Sequence, residues 1–156
     1  MAWPRATLSG AWLAGLICLV LSSPGLAASD VAGGAPFGDW LTEDRGGVIR
    51  LEPCGTGVCG RIVGMAQWQA DGTVPRDVHG QSQCHMLILR DAQREAANLW
   101  SGSITNPNDG NSYGAEFWLD DSGRLHLRGY FAIPLFGSTQ IWTRYGGTVL
   151  PDCHLR

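Results

Sequence analysis

Three groupings in this 156-residue chain carry residue types that could do chemistry, and spacing decides each. Gly110-Asn111-Ser112-Tyr113-Gly114 fits the Gly-x-Ser-x-Gly form of a hydrolase nucleophile elbow, which needs a strand before its serine and a helix after it. Here an Asp109-Gly110 turn precedes Ser112 and an alternating apolar stretch follows, so a hairpin accounts for every residue. Asp77, His79, Cys84 and His85 are zinc-ligand types, but their spacing matches no standard site. A Cys84 held in a disulfide also has no thiolate to offer a metal or a substrate. Asn106-Pro107-Asn108-Asp109-Gly110 suggests a calcium loop, yet Phe117 falls where the twelfth-position carboxylate belongs. Turn chemistry explains these Asn and Asp residues equally well. The sequence therefore predicts no catalytic residue, no metal ligand and no cofactor.

The compartment is readable from the N-terminus and the cysteines. Arg5, the apolar run Leu8 to Leu21 and the small residues Ser22 to Ala28 have the form of a signal peptide over residues 1–28. Cys18 lies inside the apolar run behind Ile17, which argues against a lipid anchor. No later stretch reaches the ~18 apolar residues of a membrane span. The expected mature chain is exported, to the periplasm or the medium. Four cysteines remain in it, an even count that favours disulfides. Three connectivities are open. A hairpin about Gly55-Thr56-Gly57-Val58 would set Cys54 opposite Cys59, leaving Cys84 to tie Cys153. On the loop-entropy model these bridges contribute roughly 2 and roughly 4 kcal/mol. The formal charge of −3 and the lack of a basic block exclude a nucleic-acid footprint. Every cation is arginine, so Schiff-base chemistry through lysine is excluded too.

The elements that must position any site are strands. Residues 29–36 read as a flexible leader, 37–150 as one domain, and 151–156 as a tail held by the second disulfide. Alternation and turn residues predict strands over 39–43, 48–52, 59–65, 86–89, 99–105, 113–119, 125–130 and 139–144. A polar loop separates the third from the fourth, from Ala66 to Gln83, a length usually functional or pinned by a staple. Asp91 to Ala97 carries the one helix signal, worth two turns. Consecutive strands with short turns predict an antiparallel up-and-down meander. Eight such strands close into a β-barrel, which removes exposed edges.

Closure has its own candidates. Trp40 on the first strand and Arg144 on the last could stack, guanidinium on indole, only where the ends of the sheet meet. The other aromatics decide what the barrel contains. Trp40, Trp100 and Trp142 could fill it, or an apolar cavity could remain with Trp68 and Tyr113 near its mouth. The candidate ligand-binding residues are Trp68, Trp100 and Tyr113.

Five stretches carry a family likeness. They are Gly38-Asp39-Trp40-Leu41-Thr42, Cys54-Gly55 with Cys59-Gly60-Arg61-Ile62-Val63, and Ile104 to Tyr113, then Leu125 to Tyr130 and Thr139 to Arg144. Together, in order over residues 38–145, they resemble the bacterial family called domain of unknown function 2147. The resemblance implies a small exported bacterial protein with a lipocalin-like barrel and no established activity. Gly38-x-Trp40 and Arg144 are also similar to the lipocalins, in which an Arg from the end of the barrel packs across the Trp. Two departures matter: twelve residues after Arg144 leave no room for a lipocalin's C-terminal helix, and the short strands argue against a deep cup.

The expected function is a non-enzymatic binding protein that holds a small apolar or amphipathic ligand. The alternative is an envelope module with a filled barrel, whose loop 66–83 contacts a protein partner; an enzyme ranks third.

Overall fold

The computed structural model describes residues 35–155. The expected signal peptide, residues 29–34 of the expected leader and Arg156 lie outside them. Eight strands follow in chain order: β1 (Gly38–Leu41), β2 (Gly47–Cys54), β3 (Gly57–Met65), β4 (Leu87–Ala96), β5 (Leu99–Thr105), β6 (Ser112–Leu119), β7 (Leu125–Tyr130) and β8 (Ser138–Arg144). Each pairs antiparallel with the next, and β8 returns to β1, so the sheet is the closed up-and-down barrel that the alternation predicts.

Period-two patterning explains which face is inside. Along β7, Leu125 and Leu127 are buried while His126 and Arg128 between them are partly exposed. Along β6, Ala115, Phe117 and Leu119 are buried with Glu116 and Trp118 facing out. Trp118 lies instead against His126 across the strands, ring centroids 5.3 Å apart. Opposed charges reinforce the outer face: Arg50 stands directly opposite Asp39 and donates two hydrogen bonds to its carboxylate, at 2.6 and 2.8 Å. The carboxylate so placed raises the pKa of Arg50 above its ordinary value.

The expected helix at Asp91 to Ala97 is a correction, because those residues continue β4. The segment's Ala, Gln, Arg and Glu favour helix by propensity, but two isolated helical turns are marginal in water. As a strand the segment fills the gap between β3 and β5, and the backbone hydrogen bonds of both neighbours decide the matter. Register breaks around Asp91, where φ is +44°, let Ala92 turn inward and bury completely. The described residues do contain one short helical turn, a 3₁₀ turn over Pro134–Phe136, and it lies in the β7–β8 connection.

The barrel has unlike ends. At one end are the short turns Gly55-Thr56, Ala97-Asn98 and 120–124, together with residues 35–37. At the other end are the connections 42–46, 66–86, 106–111 and 131–137. The long 66–86 connection is ordered by its own side chains. The Asp77 carboxylate accepts hydrogen bonds from the backbone N–H groups of His79 and Gln81, at 2.9 and 2.7 Å. Val78 N–H and the Gln83 amide then reach across to Pro107 O and Asn108 Oδ1. Disulfides join Cys54 to Cys59 and Cys84 to Cys153.

Candidate functional site

The core is packed at the end of short turns and hollow at the other. Trp40, Leu51, Leu89, Phe117 and Leu125 are essentially inaccessible and form the floor, each burial contributing roughly 2 kcal/mol. Glycine tightens it: a Cβ on Gly60 would lie 2.9 Å from Leu89 Cβ and 3.1 Å from Leu51 Cδ2. Trp40 and Arg144 sit opposite each other in the β1–β8 ladder, and the guanidinium carbon lies 3.9 Å from the indole centroid. Arg144 also donates to Phe37 O and Ala35 O, and Trp40 Nε1 donates to the buried Pro36 carbonyl at 2.7 Å. The segment 35–37 is thereby drawn across the bottom of the barrel. Partial burial there lowers the pKa of Arg144.

Above the floor lies a cavity of about 510 Å³, open at the end of the longer connections. Its wall is apolar, built from Ile88, Ile104, Leu127 and Trp142. Its rim is polar and uncharged: Thr105, Asn106, Ser138 and Gln140, with the Tyr113 ring between. No Asp, Glu, Lys, Arg or His lines it among the described residues. Gln140 Oε1 accepts the Trp142 indole N–H at 2.8 Å, which fixes the wall's largest side chain. A second hollow of about 420 Å³ adjoins it, shares Asn106, Pro107 and Gln140, and runs toward the 42–46 and 66–86 connections.

The space has an identifiable origin in the sequence. Leu125, Leu127 and Gly129 point inward along β7, and Gly129 lines the cavity where a third large residue would otherwise stand. A Cβ built on Gly129 meets nothing within 4 Å. Its ladder partner Ala115 is equally small. Gly102, the next position around the barrel, differs: a Cβ there would press on Ala92 at 2.8 Å. One glycine permits close packing and the other leaves a void.

The three candidate ligand residues take three different places. Tyr113 lines the cavity, and its hydroxyl donates to Asp109 at 3.0 Å. That acceptor raises the Tyr113 pKa, while the Asn111 backbone N–H chiefly holds Asp109 below the usual carboxylate range. Trp100 lies in the packed core against Phe117, rings 5.7 Å apart and nearly parallel, and does not line the cavity. Trp68 sits outside the barrel wall, stacked on His154 at 4.6 Å and donating to Met65 O. Gly129, Gln140 and Trp142 line the cavity without having been singled out as ligand residues. Their signal was the inward alternation of β7 and β8.

The groupings that suggested chemistry have plainer roles. Ser112 opens β6 and shares a hydrogen bond with Thr105 at 3.0 Å. Cys84, His85 and Cys153 bring ligand atoms within 4.8 Å of one another, but the two sulfurs are bonded to each other. Asp109 and Asn106 cap their own turn.

Comparison with known proteins agrees with the architecture. No curated protein matches the sequence. Among solved structures, protein HP1028 from the human pathogen Helicobacter pylori, described as belonging to the lipocalin family, superposes with a TM-score of 0.60 at 16% identity. The match covers 72% of this chain and 84% of that one, a likeness of fold. A family profile described as an uncharacterized protein conserved in bacteria, DUF2147, matches residues 38–144, and it is to this family that the chain belongs.

Proposed function

We propose that the protein is an exported, non-enzymatic binder that takes a small, uncharged apolar or amphipathic molecule into the open half of its barrel. The observation that carries this is the cavity of about 510 Å³ above a packed floor, within the range of small-molecule sites. Apolar walls reward burial of an apolar body, and the amide and hydroxyl groups at the rim suit a neutral polar end. A charged ligand would lose its hydration against a lining that offers no counter-charge. Two disulfides and the signal-like N-terminus support an oxidising, exported setting. The filled-barrel alternative is disfavoured by the void itself. Fold likeness adds nothing about the ligand.

The test uses two dyes with the same aromatic skeleton, neutral N-phenyl-1-naphthylamine and anionic 1-anilinonaphthalene-8-sulfonate. The protein should bind the neutral dye at least about tenfold more tightly, since burying an unpaired charge is costly. A Cβ on Gly129 meets nothing within 4 Å and Gly129 lines the void, so Gly129→Phe should fill it, abolish dye binding and leave the protein folded. A wild-type protein that binds neither dye would remove the proposal. Equal binding by Gly129→Phe would place the dye elsewhere.

A further inference from the structure

The β7–β8 connection breaks the rule that turns are polar. Phe131, Ile133, Leu135 and Phe136 are 78%, 46%, 76% and 76% exposed, four large apolar side chains within six positions. From Gly129 to Thr143 there is no charged residue. The segment is held as a firm prong. Arg128, on the outer face of β7, donates to Pro134 O at 2.7 Å, to Leu135 O at 3.3 Å and to Thr139 Oγ1 at 2.9 Å. Backbone bonds from Ile133 to Phe131, Phe136 to Ile133 and Gly137 to Pro134 tie the connection further. Gly137 permits this fold-back, because a Cβ there would lie 2.7 Å from Gly129 O.

Two consequences follow from that construction. Carbonyls satisfied from within can leave water without the usual penalty for an unpaired polar group. The carbonyls of Phe131, Ile133, Pro134 and Leu135 are satisfied in this way, which lowers the cost of carrying the apolar tip into the interfacial region of a bilayer. The prong also stands at the rim of the cavity, since Gly129 and Ser138, at its two roots, both line the opening.

We infer that the prong docks the open end of the barrel onto a lipid surface whose headgroups carry no net charge. Charge argues for a zwitterionic surface over an anionic one. The four connections at this end hold five carboxylates, Asp44, Asp77 and Asp109 among them, against Arg45 and Arg76 alone. An anionic membrane would repel that rim, and the prong has no cation to offset the repulsion. An uncharged convex tip of Phe, Leu and Ile gains instead by sinking into the interfacial region. The contact stands on these observations by themselves. Its purpose, to bring the cavity mouth to an apolar phase from which a neutral amphiphile can enter, rests on the cavity being a binding site.

Co-sedimentation with phosphatidylcholine vesicles, run on protein purified from its host, tests the contact. The wild type should sediment with them, and admixed phosphatidylglycerol should give no gain. Phe131→Ser/Leu135→Ser/Phe136→Ser should weaken partition at least about tenfold while keeping the melting temperature, because all three side chains are already in water. Absence of vesicle binding, equal binding by the variant, or binding that requires the anionic lipid would each overturn the inference. So would a wild-type dimer that the triple substitution dissociates with no lipid binding by either form, which would make a second copy the occupant. The neutral dye keeps the two readings apart. Vesicle binding by a protein that takes up no dye leaves the prong standing and removes the cavity. Dye uptake without vesicle binding does the reverse.

Discussion

Trp40 and Arg144 occupy one point in space because two opposite ends of the domain meet there, and neither residue works alone. The indole is completely buried on the floor and the guanidinium lies across it, half in water. Trp40→Ala should cost about 3–5 kcal/mol, the usual penalty for emptying a core aromatic site. Arg144→Lys keeps the charge but loses the planar face and the fork that reaches Phe37 O, and should cost about 1 kcal/mol. Urea midpoints at constant slope read both; a Trp40→Ala midpoint equal to that of the wild type would show that the seam closes some other way. These two residues were legible in the sequence because their types and chain positions make sense only as a meeting of ends. Gly129 was not, since a glycine in a strand reads as a weak point, and its meaning depends on nothing standing opposite. Trp68 drew attention as an aromatic in a polar loop. What it touches is His154 of the tail, next to Cys153 of the Cys84–Cys153 bridge, the pairing that the sequence favours among three connectivities.

Elements were readable wherever local pattern and barrel agree, and unreadable where they compete. β5 to β8 show clean alternation and tight turns, so both periodicity and neighbours specify them. β4 has helix-forming residues over its second half, and only its two neighbours make it a strand. The prong between β7 and β8 was missed for a related reason: an apolar run interrupted by Pro134 has neither strand period nor turn chemistry. The β6–β7 turn is the opposite case, specified wholly by short-range bonds. Its Asp120 carboxylate accepts hydrogen bonds from the Ser122 hydroxyl, the Arg124 backbone and guanidinium, and His126 Nε2, at 2.6 to 3.0 Å. The Ser122 hydroxyl first, then His126, hold Asp120 far below the usual carboxylate range. Thr42 and the Gly46 N–H act likewise on Asp44. A carboxyl whose folded pKa lies below its unfolded value of about 3.9 stabilises the protein fully above that value. That stability is lost as pH falls through the folded pKa. The melting temperature should therefore be flat near neutrality and drop below about pH 4, and Asp120→Asn should flatten part of the drop while lowering the neutral-pH value. An Asp120→Asn profile parallel to the wild type would show that this turn contributes no proton linkage.

For the molecule as a whole, the barrel wall at the open end is completed by more than its strands, and the second disulfide ties the added pieces together. β3 runs to Met65, but β4 begins only at Leu87, whose partner is Arg61. The last turns of β3 are therefore completed by pieces that are not strands. Ile62 bonds with His85 and Met86 of the long connection, while Met65 exchanges backbone hydrogen bonds with Cys153 and Leu155 of the tail. Leu155 lies so close over Gly64 that a Cβ there would be 2.4 Å from Cδ2. The Cys84–Cys153 bridge joins these two patches, one from each side of the gap between β3 and β4. Replacing both cysteines with alanine should cost up to about 4 kcal/mol by loop entropy, against about 2 kcal/mol for the Cys54–Cys59 hairpin bridge. The loss should also be local. Hydrogen exchange should quicken at Ile62 to Met65, along 66–86 and in the tail, and remain slow at Leu51, Phe117 and Leu125 of the floor. The 420 Å³ hollow, which Ile62 and Met65 help to line, should loosen with them, while the deeper wall of Leu127 and Trp142 keeps its dye site. Uniformly faster exchange would mean that floor and mouth unfold as one unit. Protection confined to the floor would mark the open end as the mobile half, gated by a bridge that a reductant can open.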